Sequence, residues 1–205
     1  MRRFEAIRRI MDAVTDELVV CNLGHPSQEL FQIKDRPENF YMLGSMGLAS
    51  SIGLGIALST DRTVIVIDGD GSVLMNLGTL ATIGVTQPEN YILVIVDNES
   101  YGSTGFQPTF TGMGLQLCEL AKACNISKTL LITQEADITP TMRDVFRSGR
   151  GPYCIIVKTN KGAPDTLTAI PHDATAIRDR FMGSIEPGPA SRQPDCPGDT
   201  MRPWR

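Results

Sequence analysis

Two short stretches place acids and amides in positions where they can do chemistry. "VIVIDGDGSVLMNLGTL" (64–80) runs a β-branched apolar segment into Gly69-Asp70-Gly71-Ser72 and then into a second apolar stretch. "YILVIVDNESYGSTG" (91–105) ends its apolar segment in Asp97 and Asn98, ahead of a glycine-rich loop. Glycines on both sides of Asp70 let the backbone turn sharply and approach a ligand closely. A helix opening at Ser72 presents unpaired N–H groups and a dipole that favour an anion such as phosphate. An anion beside a carboxylate needs a cation between them, and Mg2+ is commonly shared between a carboxylate and phosphates. Asn98 adds an amide oxygen, and the turn after it adds backbone carbonyls. Gly-Asp-Gly alone is a common turn, and Asp-Asn after a strand often serves as a cap. The two stretches gain meaning if they lie at adjacent strand ends.

The elements around them predict that they do. Apolar runs at 17–22, 40–44, 63–68, 91–97, 129–132 and 153–158 read as strands. Helical segments are expected at 3–15, 27–33, 46–59, 72–84, 115–123, 139–147 and 173–182. Runs such as 64–68 and 91–96 are continuously Val, Ile and Leu, the pattern of strands covered on both faces. Alternation of strand and helix predicts an α/β fold with a doubly wound parallel sheet, whose ligands sit at the carboxyl ends of its strands. Residues 1–182 are expected to form one domain, and the proline-rich 183–205 a flexible tail.

The bulk properties exclude several classes. At 205 residues with a net charge of −4, the chain lacks the basic balance that nucleic acid or an anionic membrane would require. Its N-terminus, "MRRFEAIRRIMDAV", is charged and amphipathic, and its longest apolar run is too short to span a bilayer, so a cytoplasmic protein is expected. The five cysteines form no CxxC pair, and two histidines do not make a zinc cluster. Cys21 and Cys154 read as small core hydrophobes. There is no Walker A lysine and no GxGxxG after the first strand, which argues against a nucleotide-binding regulator. No cysteine spacing here suits an iron–sulfur cluster. A non-catalytic Mg-phosphate-binding module remains as a rival of a different class.

"GDGS" (69–72) followed by "DNESYG" (97–102) resembles the signature of the thiamin-diphosphate-dependent decarboxylases. Here the first Asn of the family pair is Asp97, and the gap is slightly longer than usual. The resemblance implies that Asp70, the side chain of Asn98 and the backbone carbonyl of Ser100 bind Mg2+. It implies that Gly69, Gly71 and Ser72 hold the diphosphate, with Tyr101 and Gly102 in a loop closing over it. A third segment, "LGSMGLASSIGLGIAL" (43–58), resembles the part of these enzymes beneath the aminopyrimidine ring. By that match the Gly44 carbonyl accepts a hydrogen bond from the 4'-amino group, Ser45 adjoins it, and Met46 is the wedge that bends thiamin diphosphate into its reactive shape.

Such enzymes need a second, pyrimidine-binding domain that supplies an activating glutamate. This chain is expected to leave that domain to an alpha subunit, with the active site between the two chains. Within the family the segments are most similar to two-subunit decarboxylases of a sulfonated pyruvate, and next to decarboxylases of a phosphonated one, which are commonly a single fused chain. The substrate is thus expected to be a small 2-oxoacid. His25, after a strand-end glycine, is the candidate for touching it or relaying a proton; an exposed loop histidine is the plain alternative.

Overall fold

The computed structural model describes residues 1–162, 166 and 168–185. Helix α1 (Arg3–Met11) leads into β1 (Leu18–Cys21), α2 (His25–Lys34), β2 (Asn39–Tyr41) and α3 (Ala49–Ala57). Next come β3 (Val64–Gly69), α4 (Asp70–Met75), α5 (Gly78–Thr86) and β4 (Tyr91–Asp97). A small hairpin, β5 (Ser100–Tyr101) with β6 (Gln107–Pro108), precedes α6 (Leu117–Ala123) and β7 (Lys128–Ile132). The chain continues through α7 (Ile138–Ser148), β8 (Tyr153–Lys158) and α8 (Ala174–Ser184).

Six strands form one sheet in the order β2-β1-β3-β4-β8-β7, and every pairing is parallel. A core lies on each face. Val19, Cys21, Ile65, Ile67 and Val94 pack with α1, α2 and α7, while Leu18, Val20, Val64, Val66 and Leu93 pack with α3, α5, α6 and α8. Alternate side chains of one strand thus enter different cores, which explains the unbroken apolar runs. The chain leaves β1 for β2 on one side and crosses back to β3 on the other. That reversal opens a crevice at the carboxyl ends of β1 and β3, the usual ligand position in such sheets.

Some expected boundaries shift. The predicted helix 72–84 is two helices, beginning at Asp70 and broken at Asn76, whose φ of −145° and ψ of 58° leave the helical region. The predicted helix 46–59 starts only at Ala49, because 44–48 forms a turn. Helix α8 runs through Ser184, and the rest of the expected tail, 186–205, lies outside the described residues. Cys21 and Cys154 are fully buried, as expected, and burial raises both thiols, Cys154 to about 12. No helix among the described residues is long and apolar enough to cross a membrane.

Helix α3 lies tightly on the sheet because it lacks a side chain where it crosses. A Cβ on Gly53 would lie 2.1 Å from Cγ2 of the buried Val66, whereas one on Gly55 would meet nothing within 4 Å. Gly53→Ala is therefore expected to destabilise the chain by about 1–3 kcal/mol through overpacking. Gly55→Ala, on the exposed side of the same helix, should add about 0.5–1 kcal/mol by favouring the helical backbone. Urea unfolding of the two variants checks this, and equal effects would refute the close crossing.

Candidate functional site

Register brings the two polar strand ends together. Gly69 of β3 pairs with Val96 of β4, so Asp70 and Asn98 leave the sheet side by side. Cys21 of β1 pairs with Ile67, which sets Asn22, Leu23 and His25 on the other flank of β3. One pocket is lined by these three strand ends together with Arg3 of α1, Met46 and the 100–104 loop. The sequence-predicted His25, Met46, Gly69, Asp70, Gly71, Ser72, Asn98, Ser100, Tyr101 and Gly102 all lie on its wall. Gly44 and Ser45 do not: they line a neighbouring cleft with Phe40, Ile52 and Ile177. The tight turn at 44–48 separates them from Met46.

Asp70 stands in the first turn of α4 with 2% of its surface exposed. Its Oδ2 accepts the hydroxyls of Thr109 and, at 3.0 Å, of Thr111. Thr111 Oγ1 also lies 2.9 Å from Oδ1 of the buried Asp97, so a single hydroxyl proton faces two carboxylates. Burial raises the Asp70 carboxyl above its usual range, the Thr109 bond opposes this, and the Asp97 charge adds to it. Asp97 in turn receives Lys158 Nζ at 2.9 Å from the neighbouring end of β8, a cation that accounts for an acid where the family pattern has an amide. Burial lowers the Lys158 ammonium, but its bonds to Glu99 and Asp97 outweigh that and raise it.

Asn98 Oδ1 accepts the Ser100 N–H at 3.2 Å. Glu99 between them has a φ of +58°, a left-handed conformation that turns the chain back into the hairpin. The Tyr101 ring then lies on Gly71, where an added Cβ would sit 2.4 Å from Cε1. Any side chain there would have to displace the ring.

Met46 is held out by its backbone. Ser45 and Gly47 have φ of +62° and +94°, and the turn is tied down from two sides. The Gly47 N–H donates to Ser72 Oγ at 3.0 Å, and Asn76 Nδ2 donates to the Gly47 carbonyl at 3.2 Å. Asp68, fully inside, accepts from Ser50 Oγ at 3.1 Å and from the Gly69 N–H at 2.9 Å. The break at Asn76 thus frees a side chain that fastens the Met46 turn to the Asp70 turn.

Sequence reasoning missed Arg3, Asp68, Asn76, Thr109, Thr111 and Lys158. Arg3 reads as one more charge on an amphipathic helix, yet it is buried and bridges to Glu29 of α2 at 2.8 Å. His25 is half-buried beside that pair. Burial and then the Arg3 charge lower its imidazole below the usual value, with Glu29 opposing.

Residues 24–157 match the C-terminal TPP binding domain of the thiamine pyrophosphate enzymes. The chain belongs to the thiamin-diphosphate-dependent enzymes. A Methanococcus maripaludis protein named sulfopyruvate decarboxylase subunit beta is 48% identical over 192 residues, covering 91% of this chain and 98% of that one. A Methanocaldococcus jannaschii protein of the same name is 60% identical over 126 residues, 61% of this chain and 67% of that one. A Streptomyces viridochromogenes phosphonopyruvate decarboxylase is 35% identical over 189 residues, 92% of this chain but 47% of that one. Benzoylformate decarboxylase from Polynucleobacter necessarius shares the fold, with a TM-score of 0.62 at 20% identity over 80% of this chain and 34% of that one.

The residues present fit this family's cofactor. No group of three or more His, Cys, Asp or Glu is placed to hold a metal among the described residues. A cation here would rely on one carboxylate with amide and carbonyl oxygens, a hard-oxygen set suited to Mg2+ rather than zinc. Asp97 has Lys158 as its counter-ion, whereas Asp70 is met by two hydroxyls and by no cationic side chain among the described residues, which leaves its charge for such a cation.

Asp68 carries a pH signature of its own. Burial raises its carboxyl from 3.8 to about 6 despite bonds from Ser72, Gly69 and Ser50. Between these values the folded chain holds a proton that the unfolded chain releases. The resulting stabilisation is full below pH 3.8 and is lost as pH rises through about 6, and Asp70 acts in the same direction. The melting temperature of Asp68→Asn should therefore fall less steeply over that window; an unchanged profile would refute the shift.

Proposed function

We propose that this chain is the beta subunit of a two-subunit cytoplasmic decarboxylase that converts 3-sulfopyruvate to sulfoacetaldehyde and carbon dioxide, on the route to coenzyme M. The observation that carries this is a pocket uniting Asp70, Asn98 and Met46 in a chain 48% identical, over 91% of its length, to a sulfopyruvate decarboxylase beta subunit. Asp70, the Asn98 amide and the Ser100 carbonyl would hold Mg2+. Gly69, Gly71, Ser72, Tyr101 and Gly102 would hold the diphosphate and Met46 would act as the wedge, while Gly44 and Ser45 would meet the pyrimidine from the neighbouring cleft, on the other side of the Met46 turn. The domain formed by 1–182 then supplies the diphosphate half of the site. An alpha subunit would bring the pyrimidine-binding domain and its activating glutamate.

Bound thiamin diphosphate supplies the sink for the electron pair left when carbon dioxide departs. The chain's own residues position and shield. Met46, 37% exposed on its rigid turn, presents an apolar surface that is covered only when a ligand or partner meets it. The ties from Ser72 and Asn76 keep this surface at a constant distance from the diphosphate turn. His25, its imidazole neutral at neutral pH, can take up or pass on a proton in the pocket.

The deciding experiment assays sulfopyruvate and phosphonopyruvate side by side with thiamin diphosphate and Mg2+, using this chain alone and with the alpha subunit. Activity only in the mixture, and selective for sulfopyruvate, is expected. Preference for phosphonopyruvate would replace the substrate, and no activity in any combination would leave a non-catalytic Mg-phosphate-binding module. Asp70→Ala should abolish Mg2+-dependent cofactor binding while the chain stays folded; normal cofactor content in that variant would remove Asp70 from the metal set. Met46→Gly should lower kcat far more than cofactor affinity, because it removes the bend and not the anchor. If turnover were unchanged, the wedge assignment would fall.

A further inference from the structure

We propose that Arg3 recognises the terminal sulfonate of the substrate through its one uncommitted nitrogen, an inference that rests on the decarboxylase reading above. Arg3 is 9% exposed and Glu29 only 1%. Arg3 Nε donates to Glu29 Oε2 at 2.8 Å and Nη2 donates to Oε1 at 2.9 Å. Two parallel bonds fix the plane of the guanidinium, the geometry in which an arginine reads a further anion with little loss of freedom. Nη1 has no acceptor among the described residues, and it lies 3.8 Å from the point that a Cβ on Gly102 would occupy, on the pocket wall.

Charge selects the ligand. Among the described residues lining this pocket Arg3 is the only Lys or Arg, and His25 beside it is held towards its neutral form. A sulfonated 2-oxoacid enters as a dianion, and the chain itself carries a net charge of −4. The two anionic groups differ in what binding them does. A strong bond to the carboxylate would stabilise the group that must be lost as neutral carbon dioxide, and so would raise the barrier. The sulfonate keeps its charge from substrate to product, so a bond to it orients the molecule without opposing the reaction. The diphosphate would be held by the Asp70 turn, a cation and the Tyr101–Gly102 backbone, and because Gly102 adjoins Nη1 the cofactor affinity of the variants separates the two anions.

The test uses this chain co-produced with its alpha subunit and loaded with thiamin diphosphate and Mg2+. Arg3→Met/Glu29→Gln removes the fork without leaving a buried acid alone. Arg3→Lys keeps the charge for Glu29 but cannot reach both anions, so it provides the reading if the double variant does not fold. Calorimetry with two unreactive probes, 3-sulfopropanoate and butanoate, measures binding without turnover. In the double variant the Kd for 3-sulfopropanoate should rise by about tenfold or more, the loss of one charge-assisted hydrogen bond. Butanoate and cofactor affinities should hold, and the KM for sulfopyruvate should rise with a smaller change in kcat. Unchanged 3-sulfopropanoate affinity would overturn the proposal even if the wild type decarboxylates sulfopyruvate. Weakened cofactor binding would overturn it as well, by placing Nη1 on the diphosphate. A wild type that binds 3-sulfopropanoate through Arg3 yet decarboxylates nothing would refute the reaction and leave the sulfonate site standing.

Discussion

The parallel pairing of β3 with β4 is the constraint on which the site depends. A sheet buried on both faces tolerates no unpaired polar side chain along its strands, so polar residues collect where the strands end. In a parallel sheet those ends point the same way. The register that pairs Gly69 with Val96 therefore places Asp70 next to Asp97 and Asn98 without any long-range loop having to find its place. The reversal of strand order between β1 and β3 then leaves room for a ligand above them.

A cofactor with two chemically different ends also needs its two holders at a constant separation. Here that spacing is set by hydrogen bonds between the two turns. Ser72 and Asn76 fasten the Met46 turn to the Asp70 turn, and Asp68 anchors Ser50 at the head of α3 to the end of β3. Asn76 serves this purpose by leaving the helical conformation, so the break between α4 and α5 belongs to the site rather than being a packing accident.

Electrostatics is handled by local neutralisation within an acidic chain. Three acids, Asp70, Asp97 and Glu99, crowd the ends of β3 and β4, and Lys158 answers two of them from β8. Removing that ammonium would leave a buried carboxylate unpaired, a change that in other proteins costs about 3–5 kcal/mol. On the opposite wall Arg3 and Glu29 form a second buried pair. The pocket thus sets a buried carboxylate, Asp70, on one wall and a fixed N–H donor, Arg3, on another.

The amino-acid sequence by itself determined the α/β alternation, the all-parallel sheet and the place of Asp70 and Asn98. Burial on both faces and glycine turns at strand ends are local patterns that leave local signatures. It also determined the family, because "GDGS", "DNESYG" and the 43–58 segment stand in the right order. Only the tertiary structure decided which charges are buried. Arg3 and Glu29 are far apart in the chain and each is ordinary on its helix, and Lys158 meets Asp97 only because β8 inserts beside β4. It likewise decided that 72–84 is broken and that Gly44 faces a different cleft from Met46. Helical periodicity reports which face is apolar, but a side chain that breaks the helix to bond a distant turn is rewarded by contacts no local pattern contains.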